Sequence, residues 1–307
     1  MLAEKAHYPV RTMCRVLHVS PSGYYAWYGR PLITPRVRAN AALRRRLRVV
    51  HAASRGTYGS PRLQRALRDA GIRVGRNRVI RLMRVEHLAG CPRPRFRVTT
   101  DPDPAAVAWP NLLRRRFAIP APNRVWAADI TALSTREGWL YLAVLLDLYS
   151  RRVVGWAVRP TLASDVALAA LQLALGRRHP PDGLLHHSDR GTQYTSVAYQ
   201  RLLQRHRMRC SMSRPGNCYD NAPTESFFHT LKNEISDRSW SSRRVATQAL
   251  ADYIERFYNR QRLHSTLDYR SPARFEAEHR VAVSFTEPVH GIGSRSSQES
   301  GLQTLDS

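Results

Sequence analysis

Three acidic residues stand where a carboxylate is either costly or conspicuous. Asp129 lies inside the apolar run VWAADIT, and an acid in such a strand costs free energy unless it is paired or metal-bound. Asp189 ends a short strand in LLHHSDRGTQYTS, where a tight glycine turn presents it at the edge of a sheet. Glu225 falls in the first turn of the helix after DNAP and projects back over that edge. Three oxygen donors suit Mg²⁺ or Mn²⁺ rather than zinc. Held together they would carry two ions about 3.5–4 Å apart. One ion would activate a water or 3′-hydroxyl, and the other would stabilise the leaving 3′-oxygen in an in-line displacement at phosphorus. Each acid also has a plainer reading, as a strand-end acid, a turn former or a helix-dipole charge. Asp147 in LLDLYSR is a fourth buried acid, ranked lower because Arg151 or Arg152 offers it an ion pair.

The elements around these acids follow from periodicity. Residues 124–133, 139–148 and 151–159 are branched and aromatic runs with short polar breaks, a strand meander. An alanine-rich helix over 163–176, with Ser164 as its cap, precedes a short strand over 183–188 and a helix over 196–206. Helices over 221–235 and 243–262 follow. The second places Leu250, Tyr253, Ile254, Phe257 and Tyr258 on one stripe. Three antiparallel strands followed by alternating helices and strands predict a mixed α/β layer fold.

The front of the chain differs. Of a net charge of +26, +19 falls in residues 1–100, with Glu4, Asp69 and Glu86 the only acids there. So large a surplus fits a nucleic-acid partner better than an acidic metabolite. No signal peptide, lipidation motif or 18-residue apolar run supports a membrane role. Four cysteines at 14, 91, 210 and 218, with no CxxC pair, argue against a disulfide frame or zinc knuckle and for a reducing cytoplasm.

Residues 1–30 read as a helix-turn-helix-like segment, with Ser20–Pro21 restarting the second helix and Tyr24, Tyr25 and Trp27 read as core. Residues 36–95 read as a basic helical DNA-binding domain. Its helices run over 39–53, from Ser60–Pro61 to Gly71, and over 76–87. On the last, Val79, Ile80 and Met83 form the apolar face. Arg76, Arg78, Arg81 and Arg84 fall largely off it and are the predicted DNA contacts. Residues 96–123 form a proline-rich linker, 124–285 the catalytic core with its C-terminal helix, and 286–307 a polar, disordered tail.

WAADIT, HSDRGTQYTS, GNCYDNAPTESFFHTLKNE and YNRQRLHSTLDYRSPARFE closely resemble bacterial insertion-sequence transposases of the insertion-sequence-three family. In that family the downstream reading frame encodes a catalytic subunit with a retroviral-integrase-like core. The resemblance spans roughly residues 36–278. Asp129 matches the first aspartate, and Asp189 and Glu225 match the pair separated by 35 residues for which the D,D-35-E group is named. Lys232 matches its frequent lysine, two helical turns along from Glu225, and is one of only two lysines in the chain. GTYGSPRL and RVIRLM fit the helical DNA-binding segment, and PSGYYAW the extreme front.

The resemblance implies an RNase H-like fold, a five-stranded mixed sheet flanked by helices. It implies Mg²⁺- or Mn²⁺-dependent cleavage at transposon ends and strand transfer without a covalent protein–DNA intermediate. By analogy the partners are DNA at the ends and target and a synaptic homo-oligomer, with an upstream-frame protein as the fusion partner such relatives commonly carry, and the place of action is the bacterial cytoplasm, at the nucleoid. Lys232 would hold a phosphate near the scissile bond. Two rival readings are a metal-dependent nuclease that does not join ends and a catalytically silent DNA-binding repressor. His186 and His187 read as exposed strand-end residues or phosphate contacts. Asp220 and Asn221 read as caps of the Glu225 helix. Tyr258, Asn259, Arg262 and His264 read equally as DNA contacts or as packing around the last helix.

Overall fold

The computed structural model describes residues 1–29, 34–91, 109–214, 217–235 and 240–286. The linker before Trp109 and the tail after Thr286 lie outside the described residues. The chain forms two compact units, Met1–Arg95 and Phe96–Ser307.

The first unit is all-α: α1 (Val10–Val16), α2 (Pro21–Tyr28), α3 (Pro35–Ala53), α4 (Ser60–Asp69) and α5 (Arg76–Val85). Ser20 caps α2 by accepting from the Gly23 amide at 3.0 Å, and Pro21 occupies the first turn, where no amide is needed. Ser60 does not cap α4. Gly59 holds the cap position, and Ser60–Pro61 begin the helix itself. Leu43 and Leu47 of α3, Leu63 and Leu67 of α4, and Val79, Leu82 and Met83 of α5 close the core. Ile80 and Val50 are only half-buried. Of the α2 aromatics Tyr24 alone is buried; Tyr25 and Trp27 are exposed.

The second unit carries a five-stranded sheet of order β3-β2-β1-β4-β5. Its strands are β1 (Val125–Thr135), β2 (Gly138–Asp147), β3 (Val153–Arg159), β4 (Leu185–Ser188) and β5 (Arg209–Met212). β1, β2 and β3 pair antiparallel, whereas β4 and β5 add in parallel. This is the mixed sheet that the RNase H-like arrangement implies. Helices α6 (Ser164–Arg178), α7 (Thr192–Thr195) and α8 (Val197–Arg205) follow, then α9 (Ala222–Ile235), α10 (Arg243–Ala251) and α11 (Pro272–Thr286). Ser164 is the first residue of α6 and not its cap, a position held by Ala163.

One sheet face packs Trp126, Ala128, Ala143, Leu145 and Val154 against Val166, Ala170, Leu171 and Ala174 of α6 and Tyr199 and Leu203 of α8. The alanines let α6 approach closely, and Gly155 of β3 completes the fit. A Cβ there would lie 2.7 Å from Ala174 Cβ and closer still to the Ala170 carbonyl oxygen. Gly155→Ala is therefore expected to cost about 1–3 kcal/mol or more through overpacking, read as a lowered denaturant midpoint in chemical unfolding. An unchanged midpoint would mean that α6 shifts freely.

The helix expected over 243–262 is not a uniform α-helix. After α10 the chain continues as a π-helical stretch, Asp252–Tyr258. The wider turn keeps Tyr253, Ile254, Phe257 and Tyr258 all buried.

Candidate active site

Side chains alternate across a strand. Trp126 and Ala128 face α6 and α8, so Ala127 and Asp129 face the other side, where α9 packs. In the parallel β1–β4 pair, Val125, Trp126 and Ala127 stand opposite Leu185, His186 and His187. Carried two residues further, that register sets Asp189 beside Asp129. β4 ends at Ser188, so Asp189 leaves the sheet as the chain turns. Its Oδ1 accepts from the Gly191 amide at 3.0 Å, an aspartate turn that holds the carboxylate at the strand end. Glu225 enters from the first turn of α9.

Two contacts dock α9 on β1. The Thr224 hydroxyl donates to Asp129 Oδ2 at 3.3 Å, and Asn221 Nδ2 donates to the Ala128 carbonyl at 3.2 Å. Asn221 Oδ1 is buried without a partner among the described residues. The far end of α9 is pinned as well. Arg262 donates from Nε to both oxygens of Glu234 at 3.0 and 2.9 Å, and from Nη2 at 2.7 Å; Tyr253 Oη adds a bond at 2.8 Å.

Asp129 feels the charges of both other acids. Burial raises the Asp129 pKa, and the charges of Asp189 and Glu225 push it further up. Burial also raises Asp189 and Glu225. Lys232, half-buried on the same helix, is lowered by burial while the Asp129 charge pulls it back up, so its ammonium lies within electrostatic reach of the site. Among the described residues no group of three or more His, Cys, Asp or Glu side chains is gathered closely enough to hold a metal ion. The chemistry of the three acids fits a hard divalent cation, all oxygen with neither thiol nor imidazole, and the repulsion that raises Asp129 is what a cation would relieve.

A linkage follows. Carboxylates with raised folded pKa values bind more protons folded than unfolded, so their stabilisation is present at low pH and lost as pH rises through the folded values. The metal-free protein is expected to melt lower at alkaline than at mildly acidic pH, and Mg²⁺ to restore more of the loss at the higher pH. Thermal melts at several pH values, with and without Mg²⁺, check this. A Mg²⁺ effect independent of pH would contradict it.

Several neighbours differ from their sequence reading. His186 and His187 are fully buried, and burial lowers them to about 3 and about 4. They are neutral framework residues, bonded to Tyr199 Oη at 2.8 Å and Ser211 Oγ at 2.9 Å. Asp220 caps nothing; it is a buried ion-pair partner of Arg115 and Arg214. Asp147 pairs with neither Arg151 nor Arg152 through side chains. It accepts from the Asn123 and Tyr149 amides and lies 3.5 Å from Arg178, and burial lifts it to about 6. Tyr258, Asn259, Arg262 and His264 are buried, and Asn259 bonds both backbone groups of Val153 at 3.0 Å, as the packing reading expects. Asn221, read as a cap, bonds β1 instead, and Thr224 was the docking residue sequence reasoning missed, with the DNAPTE run itself the available signal.

In the first unit Arg76, Arg78, Arg81 and Arg84 are all exposed on α5. Arg78 donates twice to Asn40 Oδ1, at 3.0 and 2.8 Å. Arg44 and Arg48 are spent on Glu86.

Family profiles described as Integrase core domain match residues 120–218 and 206–272, and one described as HTH-like domain matches 38–96. A 31 kDa protein of insertion element IS600 from Shigella sonnei is 44% identical over 273 residues, covering 88% of this chain and all of that protein. Transposase InsF of insertion sequence IS3A from Escherichia coli (strain K12) is 41% identical over 281 residues, covering 89% of this chain and 95% of the relative. The chain belongs to the IS3 family of insertion-sequence transposases. As a member it is a polynucleotidyl transferase with an integrase core and an HTH-like region. Among solved structures, a chain of the simian T-cell lymphotropic virus intasome with PP2A regulatory subunit B56 gamma is 18% identical, with a TM-score of 0.44 and 78% and 76% coverage of this transposase and that chain. The HTLV-2 integrase catalytic core domain in complex with magnesium is 15% identical, with a TM-score of 0.38 and 51% and 97% coverage. Among the described residues no helix is long and apolar enough to cross a membrane.

Proposed function

We propose that this transposase cleaves DNA at transposon ends and transfers the freed strand to a target, with Asp129, Asp189 and Glu225 as its catalytic and metal-holding residues. The observation that carries the reading is that the charges of Asp189, at the end of β4, and Glu225, in the first turn of α9, both act on Asp129 of β1. The three would hold Mg²⁺ or Mn²⁺, as one or two ions, supplying Lewis-acid stabilisation to the attacking and leaving oxygens.

The chain's own groups do the rest. The proton leaving the water or 3′-hydroxyl passes to solvent. The nucleophile's oxygen bonds to phosphorus as the bond to the 3′-oxygen breaks, and the electron pair leaves with that oxygen. Lys232 holds a phosphate of the strand beside Asp129. Arg76, Arg81 and Arg84 grip the duplex from α5, with Arg78 joining them from its Asn40 support. The ends are paired in a synaptic homo-oligomer, and an upstream-frame protein supplies further end recognition as a fusion partner.

The test is a joining assay with duplexes carrying candidate element ends, a supercoiled target plasmid and Mg²⁺. Covalent end–plasmid products support transposition. Release of cleaved ends without joined product would favour a nuclease.

A further inference from the structure

Asp220 does more than the turn before a helix requires. Its carboxylate is fully buried and surrounded by donors. Oδ1 accepts from Arg115 Nε at 2.9 Å and Arg214 Nη2 at 3.0 Å. Oδ2 accepts from Asn111 Nδ2 at 2.8 Å, Arg214 Nε at 3.0 Å and the Arg214 amide at 3.1 Å. Removing one partner from such a buried, charge-assisted set exposes the loss in full.

Asn111 and Arg115 belong to a strap, residues 109–116, more than a hundred residues away in sequence. The strap makes two more attachments. Arg115 Nη2 donates to Asn217 Oδ1 at 2.8 Å, and the Leu112 amide donates to Ser211 Oγ at 2.9 Å. Ser211 is the residue that bonds His187, two positions before Asp189. Asp220 directly precedes Asn221, whose amide docks α9 on β1 beside Asp129. One strap therefore binds the chain leading into Glu225 directly and reaches the chain leading into Asp189 through Ser211.

We propose that the Asp220–Arg115–Asn111 anchor is a positioning device that fixes Glu225 and Asp189 relative to Asp129. The inference rests on the reading of these three as the metal-holding set. The anchor residues touch neither substrate nor cation; they act through the backbone of residues 217–221 and through Ser211.

The test uses the full chain with Arg115→Ala, Arg115→Lys, and Arg207→Ala as a control that removes the exposed Arg207–Asp182 pair. Arg115 is 44% exposed and Asp220 keeps Arg214, so the variants are expected to fold. Hydrogen exchange of the amides of residues 217–228 is expected to speed about tenfold in Arg115→Ala, with the α6 and β2 amides unchanged. The Mg²⁺ concentration giving half the thermal shift is expected to rise on the order of 10-fold, as for lost support behind a metal ligand. Arg115→Lys should fall between, and the control should match wild type. Exchange unchanged in 217–228, or raised equally throughout the unit, would overturn the proposal. A wild type whose melting ignores Mg²⁺ would instead remove the metal-holding reading, a failure the exchange data distinguish.

Discussion

Glu225→Gln is expected to lower strand joining by on the order of 10²–10³-fold or more, the scale lost when one electrostatic stabiliser leaves a preorganised site. The substitution is nearly isosteric and removes one negative charge. Glu225 is one of the two charges that push Asp129 up, so its loss relieves Asp129 and should leave the metal-free protein as stable as wild type or more so. DNA affinity should hold, because the exposed arginines of α5 are untouched. The checks are joined product per unit time, duplex affinity at fixed salt and thermal melting on the same preparations. Loss of joining with retained binding and an undiminished melting temperature is the expected combination. Wild-type joining in Glu225→Gln would remove Glu225 from the chemistry.

The second large effect concerns stability. The Arg262 and Glu234 side chains are 6% and 4% exposed. Burial works against the Arg262 charge, yet its bonds to Glu234 and that residue's charge outweigh it and raise its pKa. Arg262→Ala leaves Glu234 buried with Tyr253 as its remaining donor and is expected to cost about 3–5 kcal/mol. Removing both charges should cost less than the two single losses combined, because no stranded charge remains. Denaturant unfolding of the two single variants and the double variant measures this. Additive losses would show that the pair carries no coupling.

These two predictions draw on different depths of sequence legibility. The strand meander, the α6 and α9 helices and the basic helices of the first unit follow from local periodicity, which tertiary packing leaves intact. β5 was not legible. Four residues, RCSM, carry no alternation of their own and become a strand only by pairing with β4. The π-helical stretch was equally hidden, because its residues repeat at intervals that fit an ordinary helix.

At the site, Asp129 was conspicuous as an acid in an apolar strand, and a parallel register then sets Asp189 beside it. Asp220 was misread as a cap because Arg115 lies 105 positions away, beyond the reach of any spacing rule. His186 and His187 were misread as exposed because their burial depends on α8 and β5 closing over them. Arg262 read equally as a DNA contact or as packing, because its acid partner Glu234 lies on α9, well away in sequence.

The central claim is that the three acids jointly hold the divalent cation that serves phosphoryl transfer. The most direct measurement is an anomalous-scattering map of crystals of the transposase with Mn²⁺ and a duplex element end. Mn²⁺ peaks with Asp129, Asp189 and Glu225 oxygens within about 2.0–2.4 Å, lost in Asp129→Asn, are the predicted result. Mn²⁺ seated elsewhere, with these carboxylates turned away from it, would contradict the account.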